Sequence, residues 1–113
     1  MLEPFLGEIM LFAGNFAPKG WMACAGQSLP IAQYSALYAI LGTMYGGDGG
    51  TVSFRLPDLR NAVPVGAGHD RAGNYRILGE YRVNSLSSHG TAAIATLGLN
   101  YCIAVEGVFP PRD

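Results

Sequence analysis

Charge is scarce in this chain. Acidic and basic residues fill 13% of its 113 positions, about half the ordinary share, and the net charge is −1. Lys19 is the sole lysine, and Arg71, Arg76 and Arg82 stand scattered among neutral and acidic residues. That pattern leaves no basic stripe for a nucleic-acid backbone and no basic amphipathic segment for a lipid surface. Neither a nucleic-acid partner nor membrane insertion is expected. Cysteine is sparse too. Cys24 and Cys102 allow one bridge, lie far apart in sequence, and are too few to indicate an oxidising compartment. Buried free thiols are the simpler reading. The opening MLEPFLGEIMLFA is apolar but carries Glu3, Pro4 and Glu8 and has no basic leader. It therefore reads as neither a secretory signal nor a membrane span. Catalytic constellations are missing as well. There is no Ser-His-Asp order with a supporting motif, no metal-ligand spacing and no paired carboxylates in a cleft motif, and His69-Asp70 is mere adjacency in a polar loop. No enzymatic activity and no cofactor are expected.

Apolar residues and glycine are abundant. Half the chain is hydrophobic and sixteen residues are glycine. A chain of this length buries roughly two thirds of its unfolded surface, enough for one core, so residues 1–113 are expected to form a single domain. Low charge with high apolar content points to a surface partly covered by partners; a turn-rich β fold is the competing explanation.

The chain is organised around residues 29–60. Ala36, Leu37, Ile40 and Leu41 recur at helical spacing, Tyr34 and Tyr38 lie one turn apart beside them, and Gly42 follows as a closing residue. These predict a helix at about residues 32–41, with Pro30 ahead of it and no good capping side chain. Next comes Tyr45-Gly46-Gly47-Asp48-Gly49-Gly50. An anion-cradling loop would need a strand before it and a helix after it, usually with a Lys and a Ser or Thr at fixed offsets; here the helix comes first. A chain reversal using positive-φ glycines is the better reading. In Leu56-Pro57-Asp58-Leu59-Arg60 the proline extends Leu56, and Asp58 is placed to bond nearby backbone N–H groups. The Asp58–Arg60 pair is read as structural.

Strands are expected at residues 7–13, at Trp21–Cys24, at Ser53–Arg55, at Ala62–Gly66 with Pro64 marking a sheet edge, and at 101–106. In the first and last of these both faces are apolar, as for strands covered on both sides. Trp21, the single tryptophan, is read as a core corner at a strand start. The fold class expected is α+β, mostly short β-strands packed around the one short helix.

The run from Gly7 to Arg60 closely resembles the phage tail collar domain, the family that includes the microcystin-dependent proteins and the collar of phage short tail fibres. The matching residues are Gly7-Glu8-Ile9, Gly20-Trp21, Gly26-Gln27, Leu37, Gly42, Tyr45 to Gly49 and Leu56 to Arg60. The likeness continues in Val63 to Gly68 and returns in LNYCIAVEGVFPPRD. The resemblance makes Trp21, Gly46, Gly47, Asp48, Pro57, Asp58 and Arg60 structural-motif residues. It also implies a shortened variable region at about 67–98. Family members commonly carry a long insertion after a Leu-Gly-Glu motif, here Leu78-Gly79-Glu80, and many have Leu-Pro-x-His-x-His, which in a short tail fibre contributes histidines to a metal within a trimer. Here Leu86-Ser87-Ser88-His89-Gly90 resembles the start of that motif, and Thr91 occupies the second histidine position. His89 is thus a weak trimer-axis candidate, and no metal site is assigned.

Three functions follow as expectations. The first is a structural, self-assembling subunit of a phage tail fibre or collar, or of a phage-tail-derived extracellular filament. Its partner is itself, as a filament or trimer, with other tail or surface proteins in addition. Its place is the virion tail or a cell-surface filament. Residues 1–12 and 99–109 are apolar enough to complete a neighbour's sheet by strand addition, making Phe5, Ile9, Leu11, Tyr101, Ile103 and Val105 the candidate assembly residues. The second is a receptor- or glycan-binding adhesion module using Trp21, Tyr34, Tyr38, Tyr45 or Tyr75 as a platform. The third, an enzyme, lacks residues to carry it.

Overall fold

The computed structural model describes residues 3–49, 51–83 and 95–112. Its elements in order are β1 (Ile9–Phe12), β2 (Trp21–Ala23), β3 (Ser28–Pro30), α1 (Ser35–Leu41), β4 (Ser53–Arg55), β5 (Gly68–His69), β6 (Tyr75–Arg76) and β7 (Asn100–Ala104). Small antiparallel sheets around one short helix make this a small α+β architecture.

The longest strand, β7, lies in the middle of a three-stranded sheet of order β1-β7-β2. Ile9 faces Ile103 and Leu11 faces Tyr101 on one side, and Trp21 faces Ala104 on the other. The first strand is shorter than residues 7–13 because a bulge stops the ladder. The Gly7 N–H donates to the Ala104 carbonyl at 3.0 Å and the Ala104 N–H donates to the Glu8 carbonyl at 2.9 Å, so two residues oppose one. Gly7 sits there at φ +85, a conformation a side chain would resist. Beyond the bulge Phe5 and Val108 bridge in parallel, with the Val108 N–H on the Pro4 carbonyl at 2.9 Å. The two chain ends are therefore paired with each other inside one subunit.

A two-stranded ribbon, β3-β4, faces Leu29 with Phe54. Pro30 is tolerated in β3 because the ladder bond runs through Ile31, whose N–H reaches the Val52 carbonyl at 2.9 Å, so the missing proline N–H points away from β4. Helix α1 starts at Ser35 rather than near residue 32. Tyr34 holds non-helical angles, φ −127 and ψ 40, and no side chain caps the helix. It ends at Gly42, whose N–H bonds the Tyr38 carbonyl at 2.7 Å.

Helix, ribbon and sheet meet in one core of Cys24, Leu29, Leu37, Leu41, Phe54, Leu56 and Ile103. Phe54, Leu56 and Ile103 are fully buried, each stabilising by about 1.5–3 kcal/mol relative to exposure. Tyr38 leans on Phe54 with ring centroids 5.5 Å apart, and Tyr34, Tyr45 and Met22 close the rim.

Three expectations are corrected. Ala62–Gly66 is not a strand: no described segment pairs with it, and Pro64 has no N–H to offer. Trp21 is half-buried and outside the core. Met22 packs inward, and the alternation of β2 sends its neighbour Trp21 to the opposite face. β1 is an edge strand rather than one covered on both faces, with Ile9 41% and Leu11 53% exposed.

Candidate functional site

The glycine cluster after α1 folds over its own carboxylate. Asp48 Oδ1 accepts the backbone N–H groups of Thr51, Val52 and Ser53, each at 3.2 Å, and the Thr51 hydroxyl returns to the Asp48 carbonyl. These donors, Ser53 and Val52 foremost, hold the Asp48 carboxyl below its ordinary range. An anion-binding loop keeps such N–H groups free for a ligand; here a side chain of the loop already takes three of them. Gly46 accepts the Arg55 N–H at 3.1 Å, and a Cβ on Gly47 would stand 2.9 Å from the Ser53 carbonyl oxygen. Backbone crowding by β4 therefore explains glycine at 47, and the sequence reading of a chain reversal agrees with this geometry.

The Leu56 to Arg60 turn is a second clamp. Arg60 grips Asp58 with two side-chain bonds, 2.9 Å from Nε to Oδ1 and 2.8 Å from Nη2 to Oδ2, and its backbone N–H reaches Oδ1 at 3.1 Å. The guanidinium and the backbone bond pull the Asp58 carboxyl down to about 2. The turn is pinned to the end of β2: the Gly26 N–H donates to the buried Pro57 carbonyl, and the Leu59 N–H to that of Cys24. Asp58 is 43% exposed, and its carboxylate is taken up by Arg60, so the pair shapes a loop.

Both cysteines are free and buried. Burial, with Cys102 and Asp58 nearby, pushes the Cys24 thiol up to about 12, and burial raises Cys102 as well. A third carboxylate, Asp70, organises the β5-β6 hairpin by accepting the N–H groups of Ala72 and Asn74 at 2.9 Å, with His69 stacked on Tyr75 at 5.2 Å. The sequence reading missed this hairpin because two-residue strands leave no periodicity.

Two open depressions lie on the surface, one of about 710 Å³ beside the β5-β6 hairpin and one of about 150 Å³ lined by Trp21, Lys19, Glu3 and Glu106. Among the described residues no group of three or more His, Cys, Asp or Glu is placed to hold a metal. His89 lies outside the described residues. Of the five aromatics of the adhesion expectation, Tyr34, Tyr38 and Tyr45 pack on the core, while Tyr75 is half exposed and Trp21 borders the smaller depression.

The assembly residues divide. Ile103 is fully buried and Tyr101 and Val105 pack against the core, so their contacts are internal to the subunit. Phe5, Ile9 and Leu11 are exposed, together with Val108 and Phe109 at the other chain end. Because β7 has a strand on each side, it has no edge left for a neighbour; β1 has one.

The profile of the phage tail collar domain matches residues 7–64, from the bulge at Gly7 through the glycine loop and the Asp58–Arg60 turn. The chain belongs to the phage tail collar domain family. That domain is a structural module of phage tails. Protein RhiB of Rhizobium leguminosarum bv. viciae is 48% identical to this chain over 44 residues, covering 37% of it. The match spans 20% of the length of RhiB. No helix among the described residues of the collar domain is long and apolar enough to cross a membrane.

Proposed function

We propose that this chain is a structural, self-assembling subunit of a phage tail fibre or collar, or of a phage-tail-derived extracellular filament, with residues 1–113 acting as one collar-like unit. One observation carries the reading. Among the described residues seventeen large hydrophobic side chains are exposed, against ten buried hydrophobic residues, and no charged or polar residue is buried. A lone soluble subunit keeps its exposed apolar patches small. Five of the seventeen, Phe5, Ile9, Leu11, Val108 and Phe109, belong to the two paired chain ends, where Phe5 and Val108 bridge. Both the low charge and the carboxylates committed to loop geometry fit a scaffold better than a catalyst.

The partner is a further copy of this chain, with other tail or surface proteins joining the same structure, and the place is a virion tail or a cell-surface fibre. The test is negative-stain electron microscopy of the purified chain across micromolar concentrations. Regular fibres or discrete oligomers of uniform size are expected. A field of isolated subunits at every concentration would overturn self-assembly, and binding to a glycan array would then favour an adhesion module using Tyr75 and Trp21.

A further inference from the structure

The outer edge of β1 carries an unmet hydrogen-bond ladder. In an antiparallel pair, residues alternate between bonding the neighbour and pointing their backbone away from it. Glu8 bonds Ala104 of β7, so Met10 and Phe12 also face β7, and the N–H and C=O groups of Ile9 and Leu11 point outward. The other side of the sheet obeys the same parity, since Tyr101 of β7 bonds the Cys24 N–H beyond β2. Among the described residues nothing pairs with the outward groups of Ile9 and Leu11.

Protein edges are usually blunted by lysine, proline, an inward charge or a bulge. The strand Ile9-Met10-Leu11-Phe12 has no such residue, its bulge lies outside it at Gly7, and the nearby Glu8 carboxylate is turned back onto the Phe5 N–H at 3.0 Å. The ladder and the half-exposed Ile9 and Leu11 side chains occupy the same strand.

We infer that β1 pairs antiparallel with β1 of a second copy, across a two-fold axis at Met10, joining two three-stranded sheets into one of six strands. This deepens, and rests on, the self-assembly reading. The register follows from the parity. Outward residues must meet outward residues, and setting Ile9 against Leu11 of the partner subunit bonds both from each copy. Met10 then faces Met10 of the partner subunit at a narrow, non-hydrogen-bonded position, with Cα atoms about 4.5 Å apart. Glu8 falls opposite Phe12 of the partner subunit, which keeps the two like charges from facing each other. The contact is closed and isologous, so growth into a longer fibre needs a second surface elsewhere on the subunit.

The test combines sedimentation velocity with cysteine crosslinking. Leu11→Lys is expected to weaken association about tenfold or more by placing a charge in the ladder, with an unchanged far-UV spectrum because Leu11 is half exposed. Met10→Cys in a Cys102→Ala background should form an intermolecular disulfide on mild oxidation; the background removes the thiol that faces Met10 in its own chain. Phe12→Cys in the same background should not crosslink. If the parent assembles but Leu11→Lys keeps its size and Met10→Cys stays uncrosslinked, edge pairing is wrong and self-assembly stands. If Phe12→Cys crosslinks in place of Met10→Cys, the register is wrong. A monomeric parent sinks both readings.

Discussion

Asp48 and Asp58 show how single side chains replace regular structure in this domain. Each carboxylate gathers donors that would otherwise face solvent, and each titrates below its usual range for that reason. For Asp58 the sign of the pH dependence is definite. Its folded pKa, about 2, lies under the ordinary 3.8, so its stabilisation is complete above about 4 and disappears as pH falls through 2. Asp58→Asn should therefore melt below the parent at pH 6, and the two should converge towards pH 2 in a series of thermal melts. The gap should shrink in high salt because the pair is exposed. The cysteines give a second expectation. With Cys24 raised to about 12 and both thiols buried, the folded protein should leave a thiol reagent unreacted at pH 8 and release two equivalents once denatured. Asp58 was legible in the sequence because its partners are two residues away, whereas Asp48 reaches three to five residues ahead, beyond any local turn rule. Trp21 was misread because a Gly-Trp strand start does not say which face of β2 the ring takes.

Among the elements, α1 and its end at Gly42 were legible, and its start was not. The spacing of Leu37 and Leu41 revealed the helix, yet the absence of a cap let Tyr34 leave helical geometry, which shortened the first turn. The ribbon strand β3 was hidden by Pro30, which argues against a strand unless its missing N–H points away from the partner. Ala62–Gly66 erred in the opposite direction: alternation without a neighbour makes no strand. The stability of α1 depends on the core, since a seven-residue helix is too short to persist alone. Leu37→Ala, at a position 1% exposed between helix, ribbon and sheet, should cost about 2–5 kcal/mol in urea unfolding. A cost near zero would mean that α1 does not anchor the core.

At the scale of the whole molecule, the sequence's low charge and its apolar ends anticipated an excess of exposed hydrophobic surface, and the collar-family match over residues 7–64 places the chain among structural modules of phage tails. What the sequence could not reveal is how the ends are used. Strand addition by both ends looked equally open, but β7 lies between β1 and β2, and the Phe5–Val108 bridge ties the ends together, so of the two end strands β1 alone keeps an open edge among the described residues. Long-range pairing of this kind depends on which segments meet in three dimensions, and no local pattern encodes it. The most direct measurement is molar mass by light scattering after size exclusion, taken over a range of concentrations. The account predicts a mass at least twice the 11.9 kDa of one chain, rising as concentration increases. A constant 11.9 kDa from the lowest to the highest concentration would contradict it.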